Sequence, residues 1–198
     1  NMTGQLFLQQ LANGISLGSL YALLAIGYTM VYGILRLINF AHGDIFMMAA
    51  YFMIFSIITF KLPWFVAIII VITATVALGV LVEKTAYKPL RNAPRMSIMI
   101  SAIGASFLLE NLATYLFTGV PRGFPDIKVL TTTVKIGGLS LTIATLITPF
   151  VTLILLYAVL FITNKTKIGM AMRAVSKDFE TAKLMGININ KVISSTFI

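Results

Sequence analysis

Residues 62–82 read LPWFVAIIIVITATVALGVLV, and this stretch carries no charged side chain. Its apolar positions run continuously instead of alternating. A helix rises 1.5 Å per residue, so about 20 such residues span the hydrocarbon core of a bilayer. A barrel strand would show a two-residue period instead. On either side the same texture returns, at 6–34, 43–60, 97–117 and 140–163, so five membrane-crossing helices are expected. Another apolar run starts near residue 191 (VISSTFI) and reads as the beginning of a further span. The sequence therefore predicts an all-α polytopic membrane protein. Residues 1–198 are read as one transmembrane domain, the N-terminal part of a longer chain.

Composition agrees. Of 198 residues, 59% are hydrophobic and 11% charged, against roughly 45–50% and 25% in soluble domains. Net charge is +9. In a soluble protein this would suggest nucleic acid as a partner; here it reflects basic loops, and no nucleic acid is expected. The absence of cysteine excludes disulfides, a thiol nucleophile and Cys-based metal sites. The opening NMTGQLFLQQ lacks the basic start of a signal peptide, and the first cation is Arg36. The first apolar block is thus read as a retained span.

Lys and Arg distribute unevenly. Connections 35–43, 83–96 and 164–191 carry 11 of them, whereas residue 61 and 118–139 carry 4. The richer set is expected to face the cytoplasm, which puts the N-terminus outside. Connection 118–139, with its Gly, Pro, Val and Thr, reads as an ordered outer loop with a short hairpin. Small residues repeat at Gly14, Gly18 and Ala22 and at Ser97, Ser101 and Ala105, a spacing that permits close helix approach in lipid.

Two polar clusters stand out. The first is INFAHGD, residues 38–44, which gathers Asn39, His42 (the only histidine), Gly43 and Asp44 between apolar blocks. One reading is a simple turn in which Asp44 caps the following helix. The other is a helix broken at membrane depth, lining a path for a polar solute. The second cluster is residues 168–188, IGMAMRAVSKDFETAKLMGIN. Met172, Val175, Phe179, Ala182 and Met185 form one stripe at helical spacing, and Arg173, Lys177, Glu180 and Lys183 lie mostly off it. One amphipathic helix is expected, ended by Gly186, with Asn188 capping the next segment. Such a helix lies on anionic lipid or docks into a groove on a partner.

Three stretches carry a family likeness. NGISLGSLYALLAIGYTMVYGILRLINFAHGDIFM (13–47), EKTAYKPLRNAPRMSIMISAIGASFLLEN (83–111) and GMAMRAVSKDFETAKLMGININKVI (169–193) resemble, in order, the LivH-type permeases of branched-chain amino acid ABC importers. The wider importer family carries Glu-Ala-Ala, three residues, then Gly. This chain has Glu180-Thr181-Ala182, three residues, then Gly186. Asp44 stands where the family motif usually has Glu.

The resemblance implies a permease in the bacterial or archaeal inner membrane, with a discontinuous second helix lining the path. ABC ATPase subunits, a second permease subunit, a periplasmic binding protein and membrane lipid would be its partners. It implies that Asn39, His42, Gly43 and Asp44 line or gate the path. Arg173, Asp178, Glu180, Ala182 and Gly186, in the cytoplasmic coupling segment 168–188, would meet the ATPase. ATP would be used by that partner, with no cofactor in this chain. The sequence holds no GxxxxGK[ST] loop and no nucleophile–base set. A permease for urea or short amides, a self-sufficient channel or secondary transporter, and an inert lipid-packed subunit are the alternatives.

Overall fold

The computed structural model describes residues 2–36, 38–91, 93–120, 123–136 and 139–197. Among the described residues four helices are long and apolar enough to cross a membrane: Gly4–Leu35, Trp64–Leu90, Arg95–Phe117 and Ile143–Lys165. The chain is a polytopic all-α membrane protein with a small hairpin.

Helix α1 (Met2–Leu35) ends where Arg36 adopts a left-handed φ of 51°. Helix α2 (His42–Ile58) is a continuous apolar helix of 17 residues, shorter than the other four. It closes with Phe60 N–H donating to the Phe55 carbonyl and Leu62 N–H to that of Ser56. The break thus precedes α2 instead of interrupting it. Helix α3 (Trp64–Val82) starts after Pro63 and passes into a π-helical turn, Glu83–Tyr87, and a 3₁₀ turn, Lys88–Leu90. Pro89 has no N–H to continue a helical ladder. Helix α4 (Arg95–Phe117) follows Pro94 and stops at Thr118, whose φ is 65°.

The expected hairpin is present. After the short helix α5 (Lys128–Thr131), β1 (Thr133–Ile136) pairs antiparallel with β2 (Leu139–Thr142), with Thr133 opposite Thr142. The Gly137–Gly138 link lies outside the described residues. Residues 140–142, read from sequence as the start of the fifth span, belong to β2. Thr142 accepts the Thr145 N–H at 3.4 Å and so caps α6 (Ile143–Lys165).

Segment 168–188 is two helices, not the single helix its stripe suggests: α7 (Lys167–Lys177) and α8 (Phe179–Leu184). The break is Asp178. Its carboxylate accepts the Glu180 N–H at 2.9 Å and the Thr181 hydroxyl at 2.5 Å, a local alternative to helical backbone pairing. The apolar run from about residue 191 lies in helix α9 (Ile189–Thr196), which buries Val192 and Ile193. As expected, Asn188 caps it, accepting the Lys191 N–H.

The chain divides into two compact units, Asn1–Gly27 with Asp126–Thr166, and Tyr28–Pro125 with Lys167–Ile198. In the first, Gln9 donates to the Ser140 carbonyl, and α6 leaves Phe150, Ile154 and Tyr157 exposed, an apolar surface suited to lipid. The second has two apolar cores. One joins Ala41, Val82, Ala86, Tyr87, Ile98, Ala102 and Leu109. The other joins Ile34, Met172, Val175, Ala182 and Val192.

Candidate functional site

The polar groups of residues 38–44 are positioned by the turn between α1 and α2. The turn is closed by the His42 N–H donating to the Asn39 carbonyl at 3.2 Å, and Ala41, fully buried, anchors it in the first core. Asn39 is buried, and its side-chain oxygen accepts the Tyr87 hydroxyl at 2.8 Å. Asp44 sits in the first turn of α2, where the helix dipole favours an acid. It caps no backbone group; Ala41 holds the cap position without a side-chain bond. Asp44 is instead 9% exposed and accepts the Ser106 hydroxyl of α4 at 2.5 Å. His42 is half-buried, with its ring edge-on to Tyr28 at 6.2 Å.

Gly43 is exposed, and an added Cβ would meet nothing within 4 Å. Neither backbone conformation nor space requires glycine there. Asn39 and Asp44 therefore meet partners on two other elements, whereas Gly43 lies on the outer side of α2. A buried carboxylate has two oxygens and room for several donors. Among the described residues, Asp44 is met by one neutral hydroxyl.

The residues of the second cluster separate by role. Ala182 is buried among Met172 and Val175. Arg173, Asp178 and Glu180 are exposed. The Thr181 hydroxyl, helped by the Thr181 and Glu180 backbone N–H groups, holds the Asp178 carboxyl below its usual range. Gly186, with φ 79°, ends α8. Its N–H donates to the Lys183 carbonyl, and the Ile187 N–H to that of Ala182. This pair of bonds is the Schellman arrangement, which needs a left-handed residue at the glycine position.

Sequence periodicity places Met185 on the buried stripe; the structure corrects this. Leu184 and Met185 are 86% and 78% exposed: Phe179 and Ala182 keep the stripe in the core, but α8 ends at Leu184 and Met185 is already its C-cap, where the chain turns toward Gly186. Two adjacent exposed apolar side chains beside a glycine-terminated helix form a candidate docking point. A separate cavity of about 1120 Å³ has Arg36, Lys88, Arg95 and Lys183 on its wall together with Asp178 and Glu180. Tyr87 and Ser106, which hold Asn39 and Asp44, escape sequence reasoning. Ser106 lies 62 residues from its partner, and nothing local marks such a pair.

Comparison with known proteins fits this architecture. The family model described as branched-chain amino acid transport system / permease component matches residues 10–198. The chain is 34% identical to the high-affinity branched-chain amino acid transport system permease protein BraD of Pseudomonas aeruginosa over 203 residues. It is 36% identical to the corresponding protein LivH of Salmonella typhimurium and 37% to LivH of Escherichia coli K12, each over 211 residues. These alignments cover 97% of this chain and 66% of each relative, so the chain spans just under two thirds of their length. No solved structure matches it significantly.

Proposed function

We propose a function from one premise: the chain belongs to the branched-chain amino acid transport permease family. On this reading it is a membrane subunit of an ATP-driven importer for branched-chain or similar apolar amino acids. The observation that carries it is the collinear match over residues 10–198. ATP is bound and hydrolysed by separate ATPase subunits. A second permease subunit completes the path, and a periplasmic binding protein delivers cargo. The N-terminus faces outward, and the basic connections, including α7 and α8, face the cytoplasm.

In this scheme α7 and α8 receive the ATPase. Leu184 and Met185 provide apolar contact beside Arg173, Asp178 and Glu180, and the Schellman turn at Gly186 fixes the end of the lever. The turn at Asn39–Asp44 borders the path. Asp44 has acceptor capacity for a substrate ammonium, and the N-terminal end of α2 offers a positive dipole to a carboxylate. A zwitterionic amino acid needs both. ATP binding moves the α7–α8 lever and alternates access; inverting a 1:99 equilibrium takes about 5.5 kcal/mol of differential affinity.

The test is affinity purification of the permease from its host, followed by uptake of labelled leucine and urea into vesicles loaded with ATP. Expected are a co-purified ATPase and a second permease, leucine uptake that requires ATP, and loss of the ATPase on Leu184→Ser with Met185→Ser. Uptake that continues without ATP or an ATPase would instead make this a channel or secondary transporter.

A further inference from the structure

Glu83 is fully buried at the start of the π-helical turn that ends α3. One of its carboxylate oxygens pairs with the Arg91 guanidinium. The other accepts the Ser194 hydroxyl of α9 at 3.1 Å. Arg91 also donates to the side-chain oxygen of Asn190, at the start of α9. Glu83 and Arg91 thus hold α9 by two polar ties from residues about a hundred positions away in sequence.

Packing repeats the connection. The Tyr87 and Phe197 rings stand 5.3 Å apart, and a Cβ on Gly79 would come within 2.9 Å of the Phe197 carbonyl oxygen. On its other side, α9 places Val192 in one core with Met172 and Val175 of α7 and Ala182 of α8. A continuous set of contacts therefore runs from α7 and α8 through α9 to α3.

A buried ion pair is a poor device for stability alone, because desolvation offsets its attraction and a well-packed apolar pair does as well. Its better-attested use is to fix one register among several. π-helical turns also concentrate at functional positions. We infer that the Glu83–Arg91 pair is a latch that transmits movement of the α7–α8–α9 segment to α3, with both residues acting as positioning residues that touch neither cargo nor nucleotide. This inference rests on the importer reading for the source of the movement.

Two measurements test it, the first on the complete transporter. The first compares ATP hydrolysed with leucine imported, per assembled complex. Glu83→Gln is expected to assemble and hydrolyse ATP while importing about tenfold less per ATP, within the range usual for coupling between sites. The exchanged pair Glu83→Arg with Arg91→Glu is expected to regain several-fold of that loss. If Glu83→Gln lowers only the amount of complex and leaves import per ATP unchanged, the pair is ordinary packing and the latch is wrong. Should that variant not fold, Ser194→Ala and Asn190→Ala together remove both ties to α9 without unpairing a charge. They are expected to lower import per ATP about threefold, and an unchanged ratio again overturns the latch.

The second measurement does not need an ATPase. The chain contains no cysteine, so spin labels can be placed at Lys84→Cys and Lys191→Cys, both exposed positions. A narrow distance distribution that broadens with Glu83→Gln supports the latch, and one indifferent to Glu83→Gln rejects it. Absence of any ATPase from the wild-type complex would reject the importer reading separately.

Discussion

Among the described residues two carboxylates are buried, Asp44 and Glu83, and different partners meet them. Asp44 is met by the neutral Ser106 hydroxyl. Glu83 is met by a guanidinium and a hydroxyl from opposite ends of the sequence. The difference separates two uses of charge in an apolar chain. A carboxylate held by one neutral donor keeps acceptor capacity for a ligand. One whose charge is already matched gains nothing from a ligand and instead fixes geometry.

The most disruptive way to probe this contrast is Glu83→Leu, which removes the counter-charge of the half-buried Arg91. Stability should fall, by less than the roughly 3–5 kcal/mol that breaking a fully buried pair costs, read as a lower melting temperature in detergent. Glu83→Leu with Arg91→Leu should recover most of it, because the orphaned charge is gone. A double variant as unstable as the single one would mean that Glu83 matters for shape and not for charge.

Asp44→Asn should do the opposite. It preserves size and an acceptor for Ser106, so melting should move little, while leucine uptake falls about tenfold, equivalent to 1.4 kcal/mol. Unchanged uptake and substrate preference would remove Asp44 from the path and make both carboxylates structural.

Gly186→Leu approaches the same contrast from the lever side. A side chain in left-handed backbone costs about 1–2 kcal/mol, concentrated at the end of α8. ATPase recovery should fall while the spanning helices melt normally. A parallel loss of melting temperature would place Gly186 in the core fold.

Acidification gives the smallest effect. Asp178 is more acidic in the folded chain than in the unfolded one, so the folded state binds fewer protons and stability rises with pH through this window. The capping contribution is complete above the ordinary carboxylate value of about 3.9 and fades as pH drops through the lower folded value. Hydrogen exchange over α8 should accelerate in that acid range beyond its intrinsic rate, and Asp178→Asn should flatten the response.

The spanning helices α1, α3, α4 and α6 are legible in the sequence because length and apolarity suffice to mark them, and the hairpin because its Gly–Gly link and Val/Thr strands are local signals. Gly186 and Asn188 are legible for the same reason: helix ends are written in neighbouring residues. The split at Asp178 is not, since a side-chain bond two residues ahead competes with a stripe that runs on unbroken. Met185 is misplaced for a different reason: α8 ends at Leu184, one residue before the next stripe position. Glu83 and Arg91 count as loop charges in the sequence, although their spacing of eight residues is close to two helical turns. That they face inward depends on Ser194, 111 residues beyond Glu83. Periodicity gives a helix its faces but not the partner each face meets.

The shortness of α2 bears on biogenesis. Its 17 residues extend only about 25 Å at 1.5 Å per residue, less than the roughly 30 Å of a hydrocarbon core. Residues 59–63 alone separate it from α3, the most apolar of the spanning helices. At the short limit of a spanning helix, α2 would be expected to enter lipid together with α3 as one hairpin. Lengthening that five-residue link would therefore act during synthesis, by letting α2 be judged alone.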